Sequence, residues 1–177
     1  MPLPLVWIGA GIAALAAGNH LLKEQQKSEG IIGCYPGDDP TRVKPKDGSI
    51  VCCGIYEIFE HSGIWVDGRI VELKGNGLIR AVSPARFLDD RSGEKIYIAC
   101  DQSRNPLYDA TAVERAVSKI YQYSDYHVLN NNCHRFIRQC LTGEDERITR
   151  FGELNEALHR HFSSAIYWQP AKIFDPW

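Results

Sequence analysis

No charged side chain occurs between Met1 and Leu22, and the first is Lys23. Twenty helical residues rise about 30 Å, the thickness of a hydrocarbon core. Gly9, Ala10, Ala13, Ala14, Ala17 and Gly18 carry the small-residue spacing that lets membrane helices approach closely. Residues 1–25 are therefore expected to form an N-terminal apolar, membrane-seeking helix. The competing reading is an Ala-rich helix buried in a domain. A cleaved leader is disfavoured because no Lys or Arg precedes the apolar stretch. Ile31-Ile-Gly-Cys34 has the form of a lipid-attachment site, but the polar spacer 23–30 separates it from the apolar run.

Beyond a turn-rich segment from Gly33 to Gly48 the pattern becomes that of strands. Ile50-Val-Cys-Cys, Tyr56-Glu-Ile-Phe, Gly63-Ile-Trp-Val and Arg69-Ile-Val-Glu-Leu are predicted strands, followed by Leu78-Ile-Arg-Ala-Val and Lys95-Ile-Tyr-Ile-Ala. From Ala110 the period switches to that of a helix, with Val113, Ala116, Val117, Ile120 and Tyr121 on one face. Further helices are expected over about 132–141 and 152–162, and a short strand at Tyr126-His-Val-Leu. Strands first and helices afterwards predict an α+β fold, an antiparallel sheet packed with helices, in one domain over 26–177.

Composition narrows the function classes. The chain has 177 residues, with 20 Lys plus Arg against 22 Asp plus Glu, so no basic excess exists to neutralise a nucleic-acid backbone. Apolar residues at 44% and charged residues at 24% exclude both disorder and a multi-span membrane protein. Six cysteines are too irregularly spaced for a stapled mini-domain, and Cys34, Cys52, Cys53 and Cys100 follow no metal-ligand spacing. No cofactor and no metal are expected.

Two places carry candidate chemistry. Asp67-Gly68 between apolar residues is a hairpin signal that pairs Val66 with Arg69, Trp65 with Ile70, Ile64 with Val71 and Gly63 with Glu72. Ile64, Val66, Val71 and Leu73 then share the core face. His61 and Glu72 share the other as diagonal neighbours about 7–8 Å apart at the backbone. Gly63 is expected to leave room for the carboxylate to lean onto the imidazole, where it would fix the ring and raise its basicity. The alternative is a surface hairpin whose His and Glu face water. The second place is Asn130-Asn-Asn-Cys-His-Arg-Phe: an Asn N-cap puts Cys133 in the first turn of a helix, where N–H groups and the helix dipole favour a thiolate. Here the alternative is that Cys133 is the first core residue of the Phe136, Ile137, Cys140 face. His20, His127, His134, His159 and His161 read as structural or exposed.

Asp47-Gly-Ser-Ile-Val, the stretch from His61 to Leu73, and Tyr126-His-Val-Leu-Asn-Asn-Asn-Cys-His-Arg-Phe together resemble the lecithin:retinol acyltransferase-like family. That family is a circularly permuted branch of the NlpC-type, papain-like cysteine hydrolases. The resemblance covers about 90 residues, within a motif core of about 44–143. It implies Cys133 as nucleophile, His61 as general base and Glu72 as the residue that orients the base. The chain departs from the family at Ser62, where an aromatic is usual. Glu72 stands where the family usually has histidine, and His134-Arg135 follows the cysteine where the family has Glu-His.

The resemblance implies a membrane-associated thiol acyltransferase or hydrolase acting on an acyl ester, a phospholipid above all, through a thioester. A membrane-tethered cysteine amidase or peptidase is the second expectation, and a non-catalytic membrane-associated binding domain the third. Lys23 and Lys27 just after the apolar run favour a catalytic domain on the cytoplasmic side.

Overall fold

The computed structural model describes residues 18, 20–55, 59–89, 91–127 and 131–173. Most of the apolar run, residues 1–17 and 19, lies outside the described residues, as does 56–58 of the predicted strand beginning at Tyr56. A helix, α1, spans 20–28 at the end of the run. It faces water along most of its length, and no helix among the described residues is long and apolar enough to cross a membrane. Gln26 is the buried exception: its Nε2 donates to the Gly152 carbonyl at 2.9 Å, and its Oε1 accepts from the Tyr35 hydroxyl at 2.6 Å. These two bonds dock α1 on the domain.

The domain is α+β. Its seven strands are β1 (Ile32–Cys34), β2 (Ile50–Ile55), β3 (Phe59–Val66), β4 (Arg69–Leu73), β5 (Ile79–Val82), β6 (Tyr97–Cys100) and β7 (Ile166–Pro170). They form one sheet in the order β1-β7-β6-β2-β3-β4-β5. The sheet is mixed rather than purely antiparallel, because β1 runs parallel to β7. Four more helices lie among the described residues: α2 (Pro84–Leu88), α3 (Ala110–Ser118), α4 (Cys133–Thr142) and α5 (Phe151–Phe162). Of the strand expected at 126–129, residues 128 and 129 lie outside the described residues, and His127 forms an isolated bridge to Asn131.

Both faces of the sheet are buried. Ile50, Cys52, Ile64 and Val71 pack with α3, α4 and α5 through Ala112, Phe136, Ile137, Leu154 and Leu158. Val51, Cys53, Trp65 and Ile70 pack on the opposite side with Phe87 of α2 and Ile98. This two-sided burial explains why β2 reads as a continuous apolar run instead of an alternating one. It also corrects the expectation that only the Ile64 face is core.

The β3–β4 hairpin has the expected register: Ile64 opposite Val71, Trp65 opposite Ile70 and Val66 opposite Arg69. Asp67 (φ 47°) and Gly68 (φ 70°) both take the left-handed conformation that a tight two-residue turn of matching twist requires. Gly63 serves a different neighbour from the one expected. A Cβ there would lie 2.4 Å from Ile70 Cγ2 and 3.2 Å from the Phe87 ring, so the missing side chain makes room for the apolar wall behind the hairpin, not for Glu72.

Candidate functional site

The hairpin carries His61 and Glu72 into contact, and neither faces water. His61 is 4% exposed and Glu72 is fully buried. Their side chains meet at 2.6 Å between His61 Nε2 and Glu72 Oε2, while the Phe87 ring lies 5.2 Å from the imidazole. The surface-hairpin alternative is therefore excluded for this pair.

A lone buried carboxylate is costly, and Glu72 is not alone. Arg80, its cross-strand partner on β5, brings Nη2 to 2.7 Å and Nε to 2.8 Å of Oε1. Arg91, just beyond α2, donates from Nη2 to Oε2 at 2.8 Å. Burial pushes the Glu72 carboxyl up, but the bonded imidazole and the two guanidinium groups outweigh it and hold the pKa down at about 2. Glu72 is a carboxylate at any working pH and accepts a proton-bearing Nε2 from His61. The other ring nitrogen, Nδ1, is left for a second partner.

Cys133 opens α4 as the spacing predicts. Asn132 caps the helix, its Oδ1 accepting from the N–H groups of His134 at 3.0 Å and Arg135 at 3.1 Å, and Gly143 (φ 76°) ends it. The thiol is 4% exposed, yet it meets two imidazoles. His134 Nδ1 lies 3.8 Å from the sulfur, and the sulfur and the His61 ring are close enough to shift each other's titration. Successive residues of β3 thus serve one atom. His61 turns to Glu72 and Phe87, while Ser62 turns the other way and bonds His134 Nδ1 at 3.0 Å.

The six cysteines separate sharply in acidity. Burial pushes the thiols of Cys34 and Cys52 up, and takes Cys53, Cys100 and Cys140 up to about 12. Burial acts on Cys133 in the same sense, but His134 and then His61 outweigh it, and this thiol alone is held well below its ordinary value. His61 answers in kind: burial lowers it, while the Cys133 thiolate and the Glu72 carboxylate carry its net pKa upward. Both shifts favour a thiolate facing an imidazolium. Tyr126 stands nearby, its phenol pushed by burial up to about 12 and so neutral.

His61 and Tyr126 line a cavity of about 260 Å³ together with Lys74, Arg80, Arg86, Asp89 and Arg91. Cys133 is not part of this cavity wall.

The structure thus gathers Cys133, His61 and Glu72, the three residues singled out in the sequence. It adds Arg80, Arg91, Ser62 and His134, which sequence reasoning missed. Arg80 was within reach, because pairing the predicted strands at Arg69 and Leu78 sets it opposite Glu72. His134 is corrected from a bystander to a wall of the thiol site. Of the other histidines, His161 bonds Asp109 at 2.8 Å, His159 bonds the Ser164 carbonyl at 3.0 Å, and His20 and His127 are exposed. No group of three or more His, Cys, Asp or Glu side chains among the described residues is arranged to hold a metal ion. No protein-family model matches the chain, and no curated protein does either.

Proposed function

We propose that the protein is a cysteine-dependent acyltransferase or hydrolase that takes an acyl group from an ester through a thioester on Cys133. The observation that supports this is a thiol at a helix start, between His61 and His134, with His61 oriented by a buried Glu72. That arrangement is the nucleophile, base and orienting-acid logic of thiol hydrolases. The motifs from His61 to Leu73 and from Tyr126 to Phe136 agree with it through their resemblance to the permuted papain-like acyltransferases.

In this mechanism Cys133 Sγ attacks the ester carbonyl carbon, and the carbonyl electron pair moves onto oxygen. The N–H groups of His134 and Arg135 are engaged by Asn132, so the N–H of Cys133 itself is the helix-start donor assigned to that oxyanion. Collapse breaks the carbon–oxygen bond, and the departing alkoxide takes the proton from His61. A water, hydroxyl or amine then gives its proton to His61 and attacks the thioester, which frees the thiolate again. Glu72 holds the ring in one tautomer throughout.

The test is chemical trapping. Incubation with mixed phospholipids or a short-chain ester should leave an acyl mass on the Cys133 peptide, and alkylation of Cys133 by iodoacetamide should stay fast well below the pH at which an ordinary thiol ionises. Because the thiol pKa is lowered, reactivity is retained as pH falls from 8 and is lost only below the shifted value. An ordinary thiol profile and no acyl adduct would reduce the protein to a binding domain.

The apolar N-terminus is assigned to a membrane, with the domain on the cytoplasmic side. Deleting residues 1–17 removes the charge-free run but spares Gln26 and its two bonds. This shortened chain should melt like the full one while no longer sedimenting with phospholipid vesicles. Deleting 1–28 leaves the buried Tyr35 hydroxyl and Gly152 carbonyl without Gln26, which should cost about 1–3 kcal/mol by denaturant titration. A 1–17 deletion that aggregates would make the run a core helix instead.

A further inference from the structure

The cavity beside His61 is far more basic than a chain of net charge −2 would lead one to expect. Four cations line it, against Asp89 as its one carboxylate wall. They come from separate pieces of chain: Lys74 follows β4, Arg80 is on β5, Arg86 is on α2, and Arg91 follows α2. Glu72 accounts for part of this charge, but a single carboxylate is shared by two guanidinium groups. The Cys133 thiolate and the His61 imidazolium offset each other. Lys74 and Arg86 form no ion pair among the described residues. Arg91 uses Nη2 on Glu72, while its Nη1 is buried and has no hydrogen-bond partner.

A buried guanidinium N–H without an acceptor is rare, because the desolvation it suffers is not offset. A concave wall that carries mostly one sign of charge also strengthens the field at its centre. Both facts call for an oxyanion. Its type follows from the charge. A phosphate monoester carries close to two negative charges and three acceptor oxygens, which suits a fork of arginines with a lysine. A zwitterionic head group would bring an ammonium into the same space, where Asp89 is the one carboxylate to meet it.

We propose that this cavity is a phosphate-monoester subsite for the leaving-group side of the acyl substrate. Placement on that side follows from the geometry, since His61, the group that protonates the departing oxygen, is part of the cavity wall. The phosphoryl group and the scissile ester are then a few bonds apart, as in an acylated glycerol phosphate. The subsite depends on the thiol acyl-transfer reading for its placement, but its occupancy can be tested without turnover.

Two measurements separate the possibilities. The full chain carrying Cys133→Ala, in detergent micelles, should bind inorganic phosphate by calorimetry or phosphorus line broadening. Adding Lys74→Ser and Arg86→Ser should weaken that binding at least tenfold. These two positions are chosen because neither bonds Glu72. With the wild-type chain, 1-oleoylglycerol 3-phosphate should be turned over with at least tenfold higher kcat/KM than the matched phosphocholine ester or unphosphorylated 1-oleoylglycerol. The double substitution should reduce that preference at least tenfold, through KM. The soluble 1-butyrylglycerol 3-phosphate identifies the source: equal preference for the phosphate in this ester assigns the subsite to soluble phosphorylated esters, and preference confined to the oleoyl series assigns it to a lipid head group. Phosphate binding without turnover of any ester would sustain the subsite and remove the acyl-transfer reading. Turnover with no charge preference and no phosphate binding would overturn the subsite and leave acyl transfer standing.

Discussion

Turnover of an acyl ester should fall by on the order of 10⁴-fold or more when Cys133 is replaced by alanine, with the fold intact. The loss is large because the other groups act only through the sulfur: His61 has no proton to shuttle and Glu72 no charged ring to hold. The fold survives because the thiol is small and sits in the first turn of α4, whose start is fixed by Asn132 and whose packing falls to Phe136, Ile137 and Cys140 further along. Cys133→Ser should be nearly as inactive. A serine hydroxyl at the same place has too high a pKa for two imidazoles to ionise it, so the ground-state ion pair does not form. The measurement is kcat/KM on a short-chain ester beside a thermal melt. Either variant with near-wild-type turnover would remove the thiol mechanism, and a collapsed melt for Cys133→Ala would make the residue a packing element.

Much of this site is legible in the sequence because it is encoded locally. A two-residue turn sets the register of its hairpin, and the register decides that His61 and Glu72 share a face. An Asn before a helix places Cys133 at the exposed N–H groups. The parts that escape are those fixed by distant chain. β1 is three residues long and pairs in parallel with a strand more than 130 positions later, so no local pattern announces it. β7, Ile166-Tyr-Trp-Gln-Pro, reads as neither alternating nor purely apolar, since Trp168 and Gln169 are both fully buried. Arg91 reaches Glu72 from an irregular segment that carries no period. His134 follows Cys133 by one residue. Its approach to the sulfur depends on Ser62 from another strand, which helix spacing alone does not reveal.

The burial of Glu72 changes what its replacement should do. A surface carboxylate that merely steered a histidine would be cheap to remove, whereas this one pairs with both Arg80 and Arg91 and also holds His61. Glu72→Ala should therefore cost about 3–5 kcal/mol of stability, because two nearly buried guanidinium groups lose their partner. Its activity should fall with it, and the iodoacetamide profile of Cys133 should move to higher pH as the imidazolium loses support. Glu72→Gln should be milder on both counts, since its carbonyl can still accept from one donor although its NH₂ group opposes another. His61→Ala inverts the pattern: it should cost the most activity of the three and less stability than Glu72→Ala, because Glu72 keeps both arginines. The acid limb supplies an independent check. A carboxyl held at about 2 contributes stability that is fully present above its unfolded pKa near 4 and is lost as pH falls towards 2. The wild-type melt should thus drop between about pH 5 and 2, and the Glu72→Gln melt should be flatter over that interval. If Glu72→Ala melts like wild type, or a folded Glu72→Ala protein is less active than His61→Ala, the roles assigned to the pair are wrong.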